Sequence, residues 1–212
     1  MLGMEVLEHF DVDFDFPAGR LRLWKPHTVE SVAKKNNLAS IDALVVNETL
    51  LLGFRLVNAL STKDSSGEGV ATQPFLGVVD CGASFSVVNW QAAKLLGLPS
   101  QDDKSWRKKP AVTGVGVDGR PQLLSTTDVQ LSYVGGQKAK SSFTAPPSDF
   151  MPWDPIQVAV GDLPVFTQLL GDGRTPYKGP AGIVGLDILT QRRLILETSS
   201  TRQRRIYVGK IG

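Results

Sequence analysis

"VVDCGASFSVVN", residues 78 to 89, decides how the rest of the chain is read. Two valines lead into an aspartate, a cysteine and a glycine follow, and the apolar pattern then resumes. The run FLGVV before Asp80 has the composition of a buried strand. A carboxylate at its end is expected to be partly buried, and a buried charge needs donors. Gly82 allows a sharp turn that aims backbone N–H groups at the carboxylate, and Ala83 and Ser84 keep the loop narrow. The plain alternative is a strand-end aspartate that caps the next turn. One carboxylate held this way is a poor catalyst of amide hydrolysis. Two that share a proton can perform it, one as base toward a trapped water and one as acid toward the carbonyl oxygen. That chemistry requires a second copy of the loop.

The bulk properties leave room for one ordinary domain, or one with a partial neighbour. The chain has 212 residues, 42% of them hydrophobic, and a formal net charge of +2 spread over both signs. Neither a nucleic-acid nor a membrane partner is expected from such a balance. The longest apolar stretch, residues 43–54, is interrupted by Asn47 and Glu48 and is too short to span a bilayer. Cys81 is the only cysteine, so no internal disulfide can form. The acidic N-terminus lacks the basic region of a signal or transit peptide, which makes an intracellular protein the default expectation. No His/Cys/Asp spacing points to a metal, and no cofactor is expected.

Most of the chain reads as strand. Phe10, Val12, Phe14 and Phe16 alternate with Asp11, Asp13 and Asp15, which is the period of a half-buried strand. Pro17–Gly19 turn the chain, and Arg20 and Arg22 alternate with Leu21 and Leu23. The aspartates are expected to form a solvated face neutralised by the arginines of the next strand, in preference to a metal cluster. Residues 25–42 read as a polar connector with one helical turn, and residues 61–70 as a Ser/Gly loop. Residues 90–99 form a short helix ended by Gly97 and Pro99. Residues 122–145 suggest two strands around Gly135-Gly136, and 156–160 and 193–197 two more. Residues 146–155 and 171–182 read as loops. The sequence also echoes itself: LGMEVL at 2–7 matches VGLDIL at 184–189, with Gly3 on Gly185, Glu5 on Asp187 and Leu7 on Leu189. A strand, a turn and a second strand follow each.

At these residues the chain resembles the retropepsin-like aspartic proteases. VVDCGASFSVVN is similar to their active-site loop, hydrophobic residues followed by Asp-Thr/Ser-Gly-Ala. AGIVGLDIL is similar to their second signature, in which Ile183, Val184 and Gly185 would pass behind the loop and support it. VTGVGVDGRP stands where the family carries its flap, so Gly114, Val115 and Gly116 would close over the substrate. The resemblance covers roughly residues 45 to 210. It implies a mainly β fold, a closed or partly open barrel with one or two short helices. It also implies peptide-bond hydrolysis with Asp80 as one half of a dyad, a peptide or protein substrate, and water as nucleophile. The second aspartate would come from a homodimer partner or from a missing upstream lobe. On that reading residues 1–27 are the terminal hairpin of a preceding lobe, 28–42 a linker, and 43–212 the protease-like domain. Cys81 departs from the pattern: the family's Thr or Ser donates a hydrogen bond across to the opposite lobe, and a thiol is a weaker donor.

Other readings of the same residues are weaker. A catalytic Cys81 needs a positioned base, and the only histidines, His9 and His27, lie outside the main domain. Ser84 and Ser86 lack a following histidine. Gly114–Gly119 matches a dinucleotide fingerprint, but the residues after it read as strand rather than helix. Arg192, Arg193, Arg202, Arg204 and Arg205 read as a solvated strand face, and the four tryptophans as packing residues. The runner-up function is a peptide-binding or dimerisation module that keeps the cleft without turnover. A retroelement remnant would carry reverse-transcriptase or zinc-knuckle sequence, and this chain contains neither.

Overall fold

The computed structural model describes residues 4–46, 51–58, 73–116, 119–134, 150–152, 154–198 and 204–210. Within them the chain is mainly β, with helices of at most seven residues. The alternating N-terminal segment forms β1 (Asp11–Asp15) and β2 (Arg20–Trp24), joined by a tight turn in which Gly19 takes φ +60°. The free edge of β1 pairs with β14 (Arg193–Leu196), which pairs with β15 (Arg205–Val208), which pairs with β3 (Ala39–Asp42). One face of this sheet carries Ile41, Leu194, Leu196, Ile206 and Val208 into the main core. The opposite face lays Ile195 and Tyr207 under α2 (Val29–Lys35), through Val29 and Ala33.

Two kinds of expectation are corrected here, one about charged strand faces and one about a connector. The acidic face of β1 is not solvated: Asp11 and Asp13 are buried. Arg193, 180 residues away, donates to Asp13 from Nε at 2.9 Å and from Nη2 at 2.7 Å. Arg22 at 3.3 Å and the Trp24 indole at 3.0 Å complete its shell. A carboxylate with that many donors can be buried at tolerable cost. Likewise the arginines near the C-terminus are not all a solvated face, since Arg192 and Arg204 are buried. The second correction concerns residues 28–42, which hold both α2 and β3. Only Val29, Ala33 and Ile41 of that stretch are fully buried, so its apolar pattern is too sparse to announce a helix and a strand.

The second sheet is larger. Its strands run in the order β11 (Phe150–Pro152), β10 (Leu131–Val134), β5 (Leu51–Asn58), β6 (Phe75–Val79), β13 (Ala181–Val184), β7 (Val87–Val88), β12 (Ile156–Val160), β9 (Pro121–Val129) and β8 (Ala111–Val115). β4 (Leu44–Val46) adds to β5. Among the described residues no pairing joins the two ends of this path, so the order is that of an open sheet and not a closed barrel. β9 and β10 part at Gln130, and the expected Gly135-Gly136 turn lies outside the described residues, as does the loop at 61–70. β11 falls in a stretch read as loop. α4 (Pro164–Leu170) has no counterpart in the sequence reading.

The feature that positions the site is a crossing. β13 lies between β6 and β7, parallel to the first (Val184 opposite Val79) and antiparallel to the second (Ile183 opposite Val87). The segment from Asp80 to Ser86 leaves β6 and returns as β7, so it loops around the end of β13. α3 (Trp90–Leu95) then starts at Asn89, whose side chain accepts from the Ala92 amide. Gly97 at φ +74° ends it, as the sequence predicts.

Candidate active site

Asp80 sits at the top of this loop. The Gly82 N–H donates to its Oδ1 at 2.9 Å, which is the inward-turned amide expected of a glycine at that place. The Asp80 N–H donates to the Val184 carbonyl at 3.0 Å, and the Leu186 N–H to the Ala83 carbonyl at 2.8 Å. The loop is thereby stitched on both sides to the segment containing Ile183, Val184 and Gly185. Gly185 is required by close approach: a Cβ there would stand 2.7 Å from the Phe85 carbonyl carbon and 2.9 Å from the Ala83 oxygen. The expected partial burial of Asp80 is not found. Asp80, Cys81 and Gly82 are exposed.

Three residues that the sequence reading did not single out as structural hold the loop from beneath. Ser86 is buried; its Oγ donates to Asp187 Oδ1 at 2.6 Å and accepts from the Gly185 N–H at 2.9 Å. Its own N–H donates to Asp187 Oδ2 at 2.8 Å. Asn89 Oδ1 accepts from the Ala181 N–H at 3.0 Å, and Asn89 Nδ2 donates to the Gly179 carbonyl at 2.7 Å. Each polar group is fully used, which makes the arrangement rigid. The signal was present in the sequence: Ser86 and Asn89 interrupt an apolar run, and a polar side chain inside a buried strand must have a partner.

The hairpin β8–β9 faces the loop. Asp80, Gly82–Phe85, Thr113–Gly116, Leu124, Leu163 and Ile183 line one cavity of about 380 Å³. The structure thus brings together Asp80, Gly82, Ala83, Ser84, Gly114, Val115, Gly116 and Ile183. Cys81 is not part of that lining, and Val184 is buried behind the loop. Among the described residues of the lining Asp80 is the one charged residue, and the walls at Phe85, Val87, Leu124, Leu163, Val165 and Ile183 are apolar. Such a lining suits a largely apolar ligand. Gly114 lies in β8 and a strand follows the tip, so the glycines form a hairpin and not the helix-opening turn of a dinucleotide site.

Although Cys81 is exposed to solvent as a residue, partial desolvation of its thiol and the neighbouring Asp80 carboxylate push the thiol above its ordinary range. It stays protonated at neutral pH and is a poor nucleophile.

No family model matches the chain, and no curated protein matches it in sequence. Among solved structures it is similar to the crystal structure of a retropepsin-like aspartic protease from Rickettsia conorii, at 15% identity over 81% of this chain and 92% of that one, with a TM-score of 0.41. A likeness of this strength transfers no residue role, substrate or activity to this chain.

Proposed function

We propose that the chain is a lobe of an aspartic endopeptidase, with Asp80 as one half of a two-aspartate dyad. The observation that carries the reading is the loop itself: a carboxylate held by the Gly82 amide, braced by β13, and opening into an apolar cavity roofed by a glycine hairpin. Among the described residues lining that cavity Asp80 is the only carboxylate. It cannot act as base and acid at once, and its exposed side is free to meet a second loop of the same kind. In the assembled site one carboxylate takes a proton from water while the other, protonated, donates to the peptide carbonyl oxygen. The C–N bond of the resulting tetrahedral diol then breaks: the proton held by the first carboxylate passes to the leaving amine, and one diol hydroxyl returns its proton to the second carboxylate. The second carboxylate comes from another copy of the chain or from an upstream lobe.

Cys81 favours a second reading, a peptide-binding module of the same fold without turnover. Where a Thr or Ser hydroxyl would brace the two loops, a protonated thiol offers a weak donor. Cleavage of an unbiased peptide library from acid to neutral pH, with Asp80→Asn in parallel, separates the two. Cleavage abolished by Asp80→Asn is the expected result. Cleavage that survives the substitution contradicts the dyad. Capture of peptides without cleavage by paired lobes favours the binding module.

A further inference from the structure

The strand pair β1–β14 has a symmetry of its own. α1 (Met4–Leu7) and α5 (Leu186–Leu189) are both four residues long, and β1 and β14 begin at Asp11 and Arg193, so helix and strand recur at one spacing. On that spacing Val12 corresponds to Leu194, Asp13 to Ile195 and Phe14 to Leu196. The observed register sets Asp13 opposite Ile195, Val12 opposite Leu196 and Phe14 opposite Leu194. Exchanging the two strands maps this set of pairs onto itself, so a local two-fold axis passes between Asp13 and Ile195. The second strands follow suit: Leu23 lies opposite Val12 as Val208 lies opposite Leu194, and Leu21 opposite Phe14 as Ile206 opposite Leu196. The β1–β2 hairpin therefore stands beside β14–β15 in the place that a second copy of β14–β15 would take.

The β14 edge is also complementary to itself. A second copy paired about the same axis would set Leu194 opposite Leu196, and Arg193 opposite Glu197, of that copy. Those are apolar and opposite-charge cross-strand pairs. The chain's own β1 is the stronger occupant. Asp13, fully buried, takes both hydrogen bonds of the Arg193 guanidinium, and Asp15 lies opposite the same arginine. Isoleucine, which a second copy would offer at the position of Asp13, accepts neither bond. Tethering within one chain gives β1 the further advantage of a high effective concentration.

We infer that β1–β2, locked by Asp13 on Arg193, caps the β14 edge against a second copy of this chain, and that two copies join through β14 only when the hairpin leaves. The inference rests on the proposed dyad for its consequence: a capped chain holds one Asp80 loop and an uncapped pair holds two. Its test does not depend on cleavage. Sedimentation velocity and hydrogen exchange are measured on the full chain. The wild type is expected to be monomeric at micromolar concentration, with the amides of β1 and β14 both protected. Asp13→Lys sets a further cation against Arg193 and Arg22. It is expected to expose the β1 amides, keep those of β14 protected, and tighten self-association by at least about tenfold. Asp13→Asn keeps the shape of the side chain and is expected to act in the same direction more weakly, so the test survives if the lysine variant fails to fold. A wild-type dimer that protects β14 while β1 exchanges freely would overturn the cap. So would a folded variant that releases β1 and stays monomeric, or a lysine variant that keeps β1 in place.

Discussion

The two hairpins at the centre of the smaller sheet have the same geometry and opposite surroundings. Ile206 and Val208 of β15 are 0% and 1% exposed, whereas Leu21 and Leu23, their counterparts in β2, are 57% and 43% exposed. One hairpin lies over the main core; the other continues the same apolar face past the edge of that core. At the axis itself the difference is chemical. Ile195 rests under α2, while Asp13 is a buried carboxylate ringed by Arg193, Arg22 and Trp24. Strand geometry is thus set by pattern and register, and the worth of each side chain by what covers it.

Several substitutions test how deep that contrast runs. The largest effect is expected at Asp13. Asp13→Ala leaves the Arg193 guanidinium partly buried without its bidentate partner, a loss of about 3 kcal/mol in urea unfolding after allowance for its residual exposure. Ile206→Ala comes next, with about 2 kcal/mol for the cavity left under β15. If the comparison holds, Leu21→Ala at the corresponding position costs less than about 0.5 kcal/mol. Equal losses at Ile206 and Leu21 would mean that the chain covers both hairpins alike.

Acid should divide the hairpins as well. Burial alone would raise the Asp13 carboxyl, but the hydrogen bonds from Arg193 and Trp24 and the charges of Arg193 and Arg22 outweigh it and hold it below the ordinary range. Its contribution is complete above the unfolded value of about 3.9 and is lost as pH falls from there through the lowered folded value. Glu197, beside β15, has the opposite sign. Burial and the charge of Asp11 raise it, against donation from Tyr207 and from the backbone and charge of Arg205. Its ionisation weakens the fold, and that penalty is relieved as pH falls through its raised value toward about 4.3. Unfolding free energy measured between about pH 6 and pH 2 should therefore fall most steeply below about pH 4. Asp13→Asn should flatten that fall, and Glu197→Gln should remove the relief above it. The smallest effect is expected for Leu21→Lys with Leu23→Lys, within about 0.5 kcal/mol of wild type, because both residues face solvent.

Much of the site was legible before the fold was known. The acid at a strand end, the glycine two residues on, the glycine hairpin and the Ile183–Gly185 segment all carry local signals, and the structure joins them around one cavity except for Cys81, Val184 and Gly185. The last two lie behind the loop. What sequence could not supply was long-range pairing. Asp13 looked like a solvent-facing residue because its partner Arg193 is 180 positions away. Ser86 announces in sequence that it needs a partner, but that the partner is Asp187 emerges only where the chain crossing brings the two within 2.6 Å. The stretch containing α2 and β3 read as a connector because each element buries only one or two side chains. Asp80 failed the expectation of burial for the complementary reason: strand composition says what precedes the carboxylate and nothing about what would lie over it.

The most direct test of the central claim, that Asp80 works as one of a pair, is the initial rate of peptide cleavage as a function of chain concentration. Wild type and Asp13→Lys are compared, each with and without Asp80→Asn. The expected rate rises more steeply than the first power of concentration in the wild type, is higher in Asp13→Lys at equal concentration, and vanishes whenever Asp80 is replaced. A rate strictly proportional to chain concentration in both proteins, or one that persists without Asp80, would contradict a site built from two such loops.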